Sequence, residues 1–182
     1  MRRRLIAYII LLGIIPVLSC DHPGGTKKNL HAAENRILQQ QDGTVSLILD
    51  KATRYCDAGN PSNNTADWNI VISKPGRFKV WLSSATRDTS DLNYANSVRI
   101  SLLDDRLEAN PVCDKIVRNS QDVPLSYFRA ESYIGSVYVS EPGEYNIQII
   151  SEKVIAKDGE SQRTPLSDDT KLLSVILTPS TQ

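Results

Sequence analysis

The sequence predicts an all-β chain folded as one antiparallel β-sandwich, and three observations carry that prediction. Seven segments of five to seven residues alternate apolar with polar positions and are rich in β-branched and aromatic side chains. Each is bounded by Gly, Pro, Asn, Asp or Ser, the residues that turn a chain. Residues 72–82 are nearly repeated at 139–149, both copies setting a Pro-Gly pair between two alternating runs.

Along the chain the expected strands are Thr44–Leu49, Trp68–Ser73, Phe78–Leu82, Val98–Leu102, Ser136–Ser140, Tyr145–Ile150 and Leu172–Thr178. Period-two alternation sends Phe78, Val80 and Leu82 to one face of their strand and Arg77, Lys79 and Trp81 to the other. Tyr145, Ile147 and Ile149 oppose Asn146 and Gln148 in the same way, while Trp68 shares the face of Ile70 and Ile72. Only Ala32–Gln41 reads as helical, with an opening edge strand as the alternative.

The repeat is turn chemistry. Proline supplies φ near −65° at the second turn position and glycine a positive φ at the third, so Pro75-Gly76 and Pro142-Gly143 each predict a type II turn. Two copies 67 residues apart are too few and too distant for a solenoid, and they mark equivalent corners of one sandwich.

Ahead of the strands, Arg2, Arg3 and Arg4 precede an apolar run from Leu5 to Leu18, too short to span a bilayer but suited to a signal-peptide core. The run ends in Val17, Leu18, Ser19 and Cys20, which resembles the lipobox of bacterial lipoproteins, an ordinary secretory signal cut near Ser19 being the alternative. That resemblance implies a signal peptide over 1–19, palmitate and further acyl chains on Cys20, and a membrane-anchored protein of the bacterial cell envelope. Residues 20–31 read as a polar tether and 32–182 as the domain.

Cleavage would remove three arginines and no acid, leaving 18 basic residues against 21 acidic among 163, a net charge of −3. No polybasic face follows from that balance, so nucleic acid is not an expected partner. Cys56 and Cys113 remain, either joined in an oxidising compartment, which would contribute about 4 kcal/mol, or separate as buried thiols.

Trp68, Ile70, Ile72, Gly76, Phe78 and Val80, with the terminal segment Leu172–Pro179, resemble the galactose-binding-like jelly rolls that include carbohydrate-binding module families 6 and 35. The resemblance implies a jelly-roll sandwich that binds carbohydrate. Several of those families hold calcium with a first-strand glutamate, for which Glu34 could stand, and an acidic residue in the last strand; here that position is Leu173. Asp88, Asp91, Asn93 and Asn96 offer a second set of oxygens, against which stands a solvated polar loop using Asp and Asn for turns. No cofactor is expected, with calcium at Glu34 or at Asp88 and Asp91 left open.

An outward Trp81 beside Lys79, followed by the polar loop with Arg87, Asp88, Asp91, Asn93 and Tyr94, is the candidate glycan site; a loop covering Trp81 is the bland alternative. Catalysis is not expected. The only histidines past the signal segment are His22 and His31, and no nucleophile elbow, phosphate loop or paired-histidine metal motif is present. The sequence therefore reads as a glycan-binding envelope lipoprotein, with a protein-interaction or structural envelope subunit as the rival. Replacing Cys20 by Ser is expected to abolish palmitate incorporation and release the protein from membranes; continued labelling would refute the lipobox.

Overall fold

The computed structural model describes residues 36–157 and 170–180. The signal segment, Cys20, the tether and Glu34 lie outside the described residues. Eleven strands are described: β1 (Arg36–Leu38), β2 (Val45–Ile48), β3 (Thr53–Tyr55), β4 (Thr65–Ile72), β5 (Gly76–Thr86), β6 (Val98–Leu102), β7 (Asp105–Ala109), β8 (Lys115–Val117), β9 (Phe128–Val139), β10 (Gly143–Ile150) and β11 (Lys171–Pro179).

They form two sheets, and the chain crosses repeatedly between them. Sheet A runs β1-β4-β10-β6-β7, with β3 also on β4, and sheet B runs β2-β11-β5-β9-β8. All seven expected strands are present, and every pairing is antiparallel except β1 on β4. The fold is the antiparallel β-sandwich that alternation predicts.

Between the sheets lies one core. Sheet A contributes Trp68, Ile70, Ile72, Val98, Ile100, Leu102, Ile147 and Ile149; sheet B contributes Val45, Leu47, Phe78, Val80, Leu82, Val137, Val139, Val175 and Leu177. Each fully covered Leu, Ile or Phe is worth about 1.5–3 kcal/mol relative to exposure. Trp68 is a core residue as its face predicts, and its indole N–H donates to Ile48 O at 2.9 Å, tying sheet A to sheet B without an orphaned donor.

Three strands go beyond the sequence reading, β3, β7 and β8, and at β1 the edge-strand alternative holds over the helix. The described part of the segment read as helical is β1, a strand. Its Arg36–Leu38 pairs with Asn69–Val71 while β3 takes Thr65–Asp67, so the two short strands share one edge of β4. Ile37 packs on the core from there. The burial an edge offers one apolar side chain decides the conformation over a weak helical pattern.

The repeat does form two equivalent corners. Both carry the chain from one sheet to the other, β4 to β5 at Pro75-Gly76 and β9 to β10 at Pro142-Gly143. They sit side by side, because Ile72 pairs with Gly143 in sheet A and Gly76 with Val139 in sheet B. The type II geometry needs correction: both corners are open bends, and only Gly76 has a positive φ, 151°. Their closures differ as well. At the first, Gln39 Oε1 accepts from the N–H groups of Ser73 (3.0 Å) and Lys74 (2.7 Å). At the second, the Tyr145 hydroxyl donates to Glu141 O at 2.6 Å, a bond its counterpart Phe78 cannot make.

Of the two alternatives for Cys56 and Cys113, the structure has them separate. Cys56 follows β3 on sheet A, Cys113 precedes β8 on sheet B, and both are free thiols. Each sulfur lies 3.8 Å from a carbonyl of its own neighbourhood, Val154 O and Lys115 O respectively. Burial raises the pKa of both, so at neutral pH they stay protonated.

The corners give an asymmetric test. Gly76→Ala is expected to cost about 1–3 kcal/mol, since an L residue is strained at that φ although nothing lies near its Cβ. Gly143→Ala, whose Cβ would meet only Tyr145 at ordinary distance, is expected to stay within about 0.5 kcal/mol of wild type. Urea unfolding should show one transition in both variants; equal losses would refute the asymmetry.

Candidate functional site

Inward burial on sheet B decides what its outer face shows. With Phe78, Val80 and Leu82 in the core, β5 sends Lys79, Trp81 and Ser83 outward. On β9 the outward residues are Arg129, Glu131, Tyr133, Ser136 and Tyr138, and on β11 they include Ser174 and Ile176. Trp81 stands in register between Tyr133 and Ile176. The Trp81 and Tyr133 rings lie 5.3 Å apart, tilted at 56°, with Tyr133 44% exposed. Among the described residues no loop buries Trp81 fully, and it remains partly open. Beside the pair, the Tyr133 hydroxyl and Ser136 Oγ are 2.8 Å apart, and Lys79 stands between Ser136 and Thr178.

Two residues further along β5, the face deepens into a cleft of about 530 Å³. Its floor is polar. Ser83 accepts from Arg129 Nε at 2.8 Å, and Arg129 also ion-pairs with Asp122 and with Glu131, the latter at 3.3 Å. Glu131 in turn accepts from Lys115 Nζ at 3.1 Å. Ser46 and Ser174 continue the floor across β2 and β11, and Leu172 and Leu173 lie beside them. Leu173, at the position where the family resemblance puts an acid, thus lines the cleft.

One wall is built by a residue that sequence reasoning passed over. Arg54, whose side chain is 3% exposed, donates from Nε to Leu49 O at 3.1 Å and from Nη1 to Ile155 O at 3.1 Å. Its Nη2 pairs with Asp50 at 2.8 Å. Leu49, Asp50 and Ile155 all line the cleft, so a single guanidinium holds that wall together. The lining also includes Lys153, with its ammonium 5.7 Å from the Tyr94 ring centre, and Lys171, 5.7 Å from that of Tyr127.

The structure divides the residues expected to form one site. Trp81 and Lys79 are on the open face, whereas Arg87, Asp88, Asp91, Asn93 and Tyr94 belong to the loop after Thr86, which starts about 20 Å from Trp81 along the strand at ~3.3 Å per residue and returns at Tyr94 to Ser84. That loop uses its polar groups internally. Asp88 Oδ1 accepts from the Ser90 N–H at 2.8 Å and from the Ser90 hydroxyl, which holds the Asp88 carboxyl below its usual pKa. Asp91 Oδ1 accepts from the Asn93 N–H at 2.7 Å, and Asn93 adopts φ 50°. Tyr94 packs against the core with its hydroxyl 2.8 Å from Ser84 Oγ, and burial pushes its phenol far up. The Arg87 guanidinium lies 4.9 Å from the Tyr127 ring centre. Among the described residues no group of three or more His, Cys, Asp or Glu side chains could hold a metal ion, Asp88 and Asp91 included.

Tyr133 and Arg129 are the principal residues the sequence reading missed. The expected strand began at Ser136, whereas β9 begins at Phe128. A bulge explains the gap: Val80 pairs with Gly135 and Trp81 with Tyr133, so Ile134 is an extra residue. Tyr133 and Ser136 share the outer face although three positions apart, which breaks period two. The glycine inside an alternating run, Gly135, is the signal that marks such a bulge.

No family model matches the chain, and no curated protein matches it. Among solved structures it is similar to a segment of the α-L-fucosidase from Vibrio sp. strain EJY3, at 23% identity and a TM-score of 0.62, covering 80% of this chain and 24% of that one. Other matches are the Podospora anserina GH26-CBM35 β-(1,4)-mannanase (12%, TM-score 0.45, 78% and 29%) and the CBM36-1 domain of a multidomain xylanase from the hindgut metagenome of Trinervitermes trinervoides (10%, TM-score 0.40, 76% and 99%). This chain thus spans about a quarter of the fucosidase it resembles, and the likeness establishes the sandwich fold.

The wall has a direct test. Arg54→Met is expected to destabilise by about 2–4 kcal/mol in urea unfolding, because two carbonyls lose a charged donor and Asp50 loses its partner. A loss below about 0.5 kcal/mol would show that the wall stands without it.

Proposed function

We propose that this protein is a non-catalytic glycan-binding module, held at the bacterial cell envelope by a lipid on Cys20, and that its ligand lies on the outer face of sheet B. One observation carries the reading: a half-buried Trp81 paired with an exposed Tyr133 stands beside a cleft floored by Ser83, Ser174 and Arg129. A sugar ring offers an apolar C–H face and a rim of hydroxyls that both donate and accept. The indole and phenol rings suit the first, and the serines, guanidinium and carboxylates of the cleft suit the second. The anchor rests on the lipobox resemblance. The non-catalytic part rests on the carboxylates of the floor, since Asp122 and Glu131 are both tied to Arg129 rather than set across open space as glycoside hydrolysis uses them.

A second reading, a docking subunit for another envelope protein, draws on exposed apolar side chains toward the β8 side of sheet B. Val112, Ile116, Leu125 and Phe128 are 59%, 43%, 98% and 50% exposed.

Affinity electrophoresis through gels containing soluble polysaccharides separates the two readings. At least one polymer is expected to retard the wild type, and Trp81→Ala to weaken that retardation about tenfold or more with its melting transition preserved. If no polysaccharide retards the wild type, the glycan reading fails and the docking reading takes its place.

A further inference from the structure

The charges of the cleft do not cancel. Arg129, Lys153 and Lys171 face Asp50 and Asp122 around it. Asp50 is taken by Arg54 and Asp122 by Arg129, whose remaining Nη2 is on Glu131. Among the described residues no carboxylate lies within ion-pairing distance of Lys153 or Lys171. Their close neighbours are instead the faces of Tyr94 and Tyr127, which steady an ammonium group without neutralising it. The chain as a whole is neutral, and without residues 1–19 it is acidic, so two ammonium groups without an ion pair among the described residues are a local feature rather than part of a basic surface.

From this arrangement we infer that the cleft selects an anionic glycan, with Lys153 and Lys171 receiving its carboxylate or sulfate while Trp81 carries a neighbouring ring. The inference rests on the glycan reading above and adds the ligand's charge. A uronate and a sulfate ester share the required chemistry, oxygens that accept several N–H bonds at once. The two fixed lysines at the cleft's edge supply donors for either. Asp122 and Glu131 do not repel the anion as bare charges would, because Arg129 and Lys115 between them pair with both.

The test uses the full-length acylated protein in zwitterionic detergent, titrated with polygalacturonate, dextran sulfate and a neutral galactan. At least one acidic polymer is expected to bind about tenfold or more tightly than the galactan. Lys153→Met and Lys171→Met should each remove about three- to tenfold of that preference, and the double variant nearly all of it, while leaving galactan affinity within about twofold. Polygalacturonate against dextran sulfate tells uronate from sulfate. Lys74→Met, whose ammonium is on the first corner 2.8 Å from Gln41 O, should change nothing. Galactan binding that is lost in Trp81→Ala, with no preference for either acidic polymer, would overturn the anionic inference and leave the glycan reading standing. An acidic preference that survives in the double lysine variant would overturn it too, as would failure of both acidic polymers to bind, the glycan reading itself being decided by the electrophoresis above.

Discussion

Burial of Phe78, Val80 and Leu82 on one face of β5 is the constraint on which the rest of the molecule depends. β5 lies inside sheet B, paired with β11 on one side and β9 on the other along most of its length. A slip of one residue would turn all three apolar side chains to water and bring Lys79, Trp81 and Ser83 into the core. The same register therefore secures the core and turns Lys79, Trp81 and Ser83 to the outer face. It also places the two corners, because β5 begins at one and its partner β9 ends at the other.

The two ends of the sandwich are held by different means. The corner end is closed by short connections whose backbone groups are met by Gln39 and Tyr145. At the cleft end the loops are longer and buried polar groups bind them together. Asn64 donates to Val154 O at 2.7 Å and accepts from the Asp57 N–H at 2.8 Å. Thr170 donates to Thr86 at 2.9 Å, and Arg54 joins the turn after β2 to Ile155. Satisfied buried bonds of this kind fix loop positions more specifically than apolar contact does, which suits the end that forms the cleft.

That division bears on the expected loop site. Asp88, Asp91 and Asn93 looked like ligand groups because they are polar and close in sequence to Trp81. Their oxygens instead accept from backbone N–H groups two residues on, or stabilise a left-handed residue, and so they shape the loop. The ligand groups of the proposed site come from five segments far apart in sequence: β5, β9, β11 and the stretches around Asp50 and Lys153.

The sequence by itself determined seven of the strands, the equivalence of the corners, the inward Trp68 and the outward Trp81. Each follows from side-chain alternation and turn residues, which are local and survive any tertiary arrangement. The tertiary structure alone decided β3, β7 and β8 and chose strand over helix for β1, since each lies at a sheet edge and takes its conformation from the strand it pairs with. It placed Tyr133 beside Trp81 through a bulge that breaks the alternation. It separated Cys56 from Cys113 on two sheets. It also gathered Arg129, Lys153 and Lys171 at one cleft, a juxtaposition set by which strands lie next to one another, and adjacency in a sheet is not encoded in the spacing of residues along the chain.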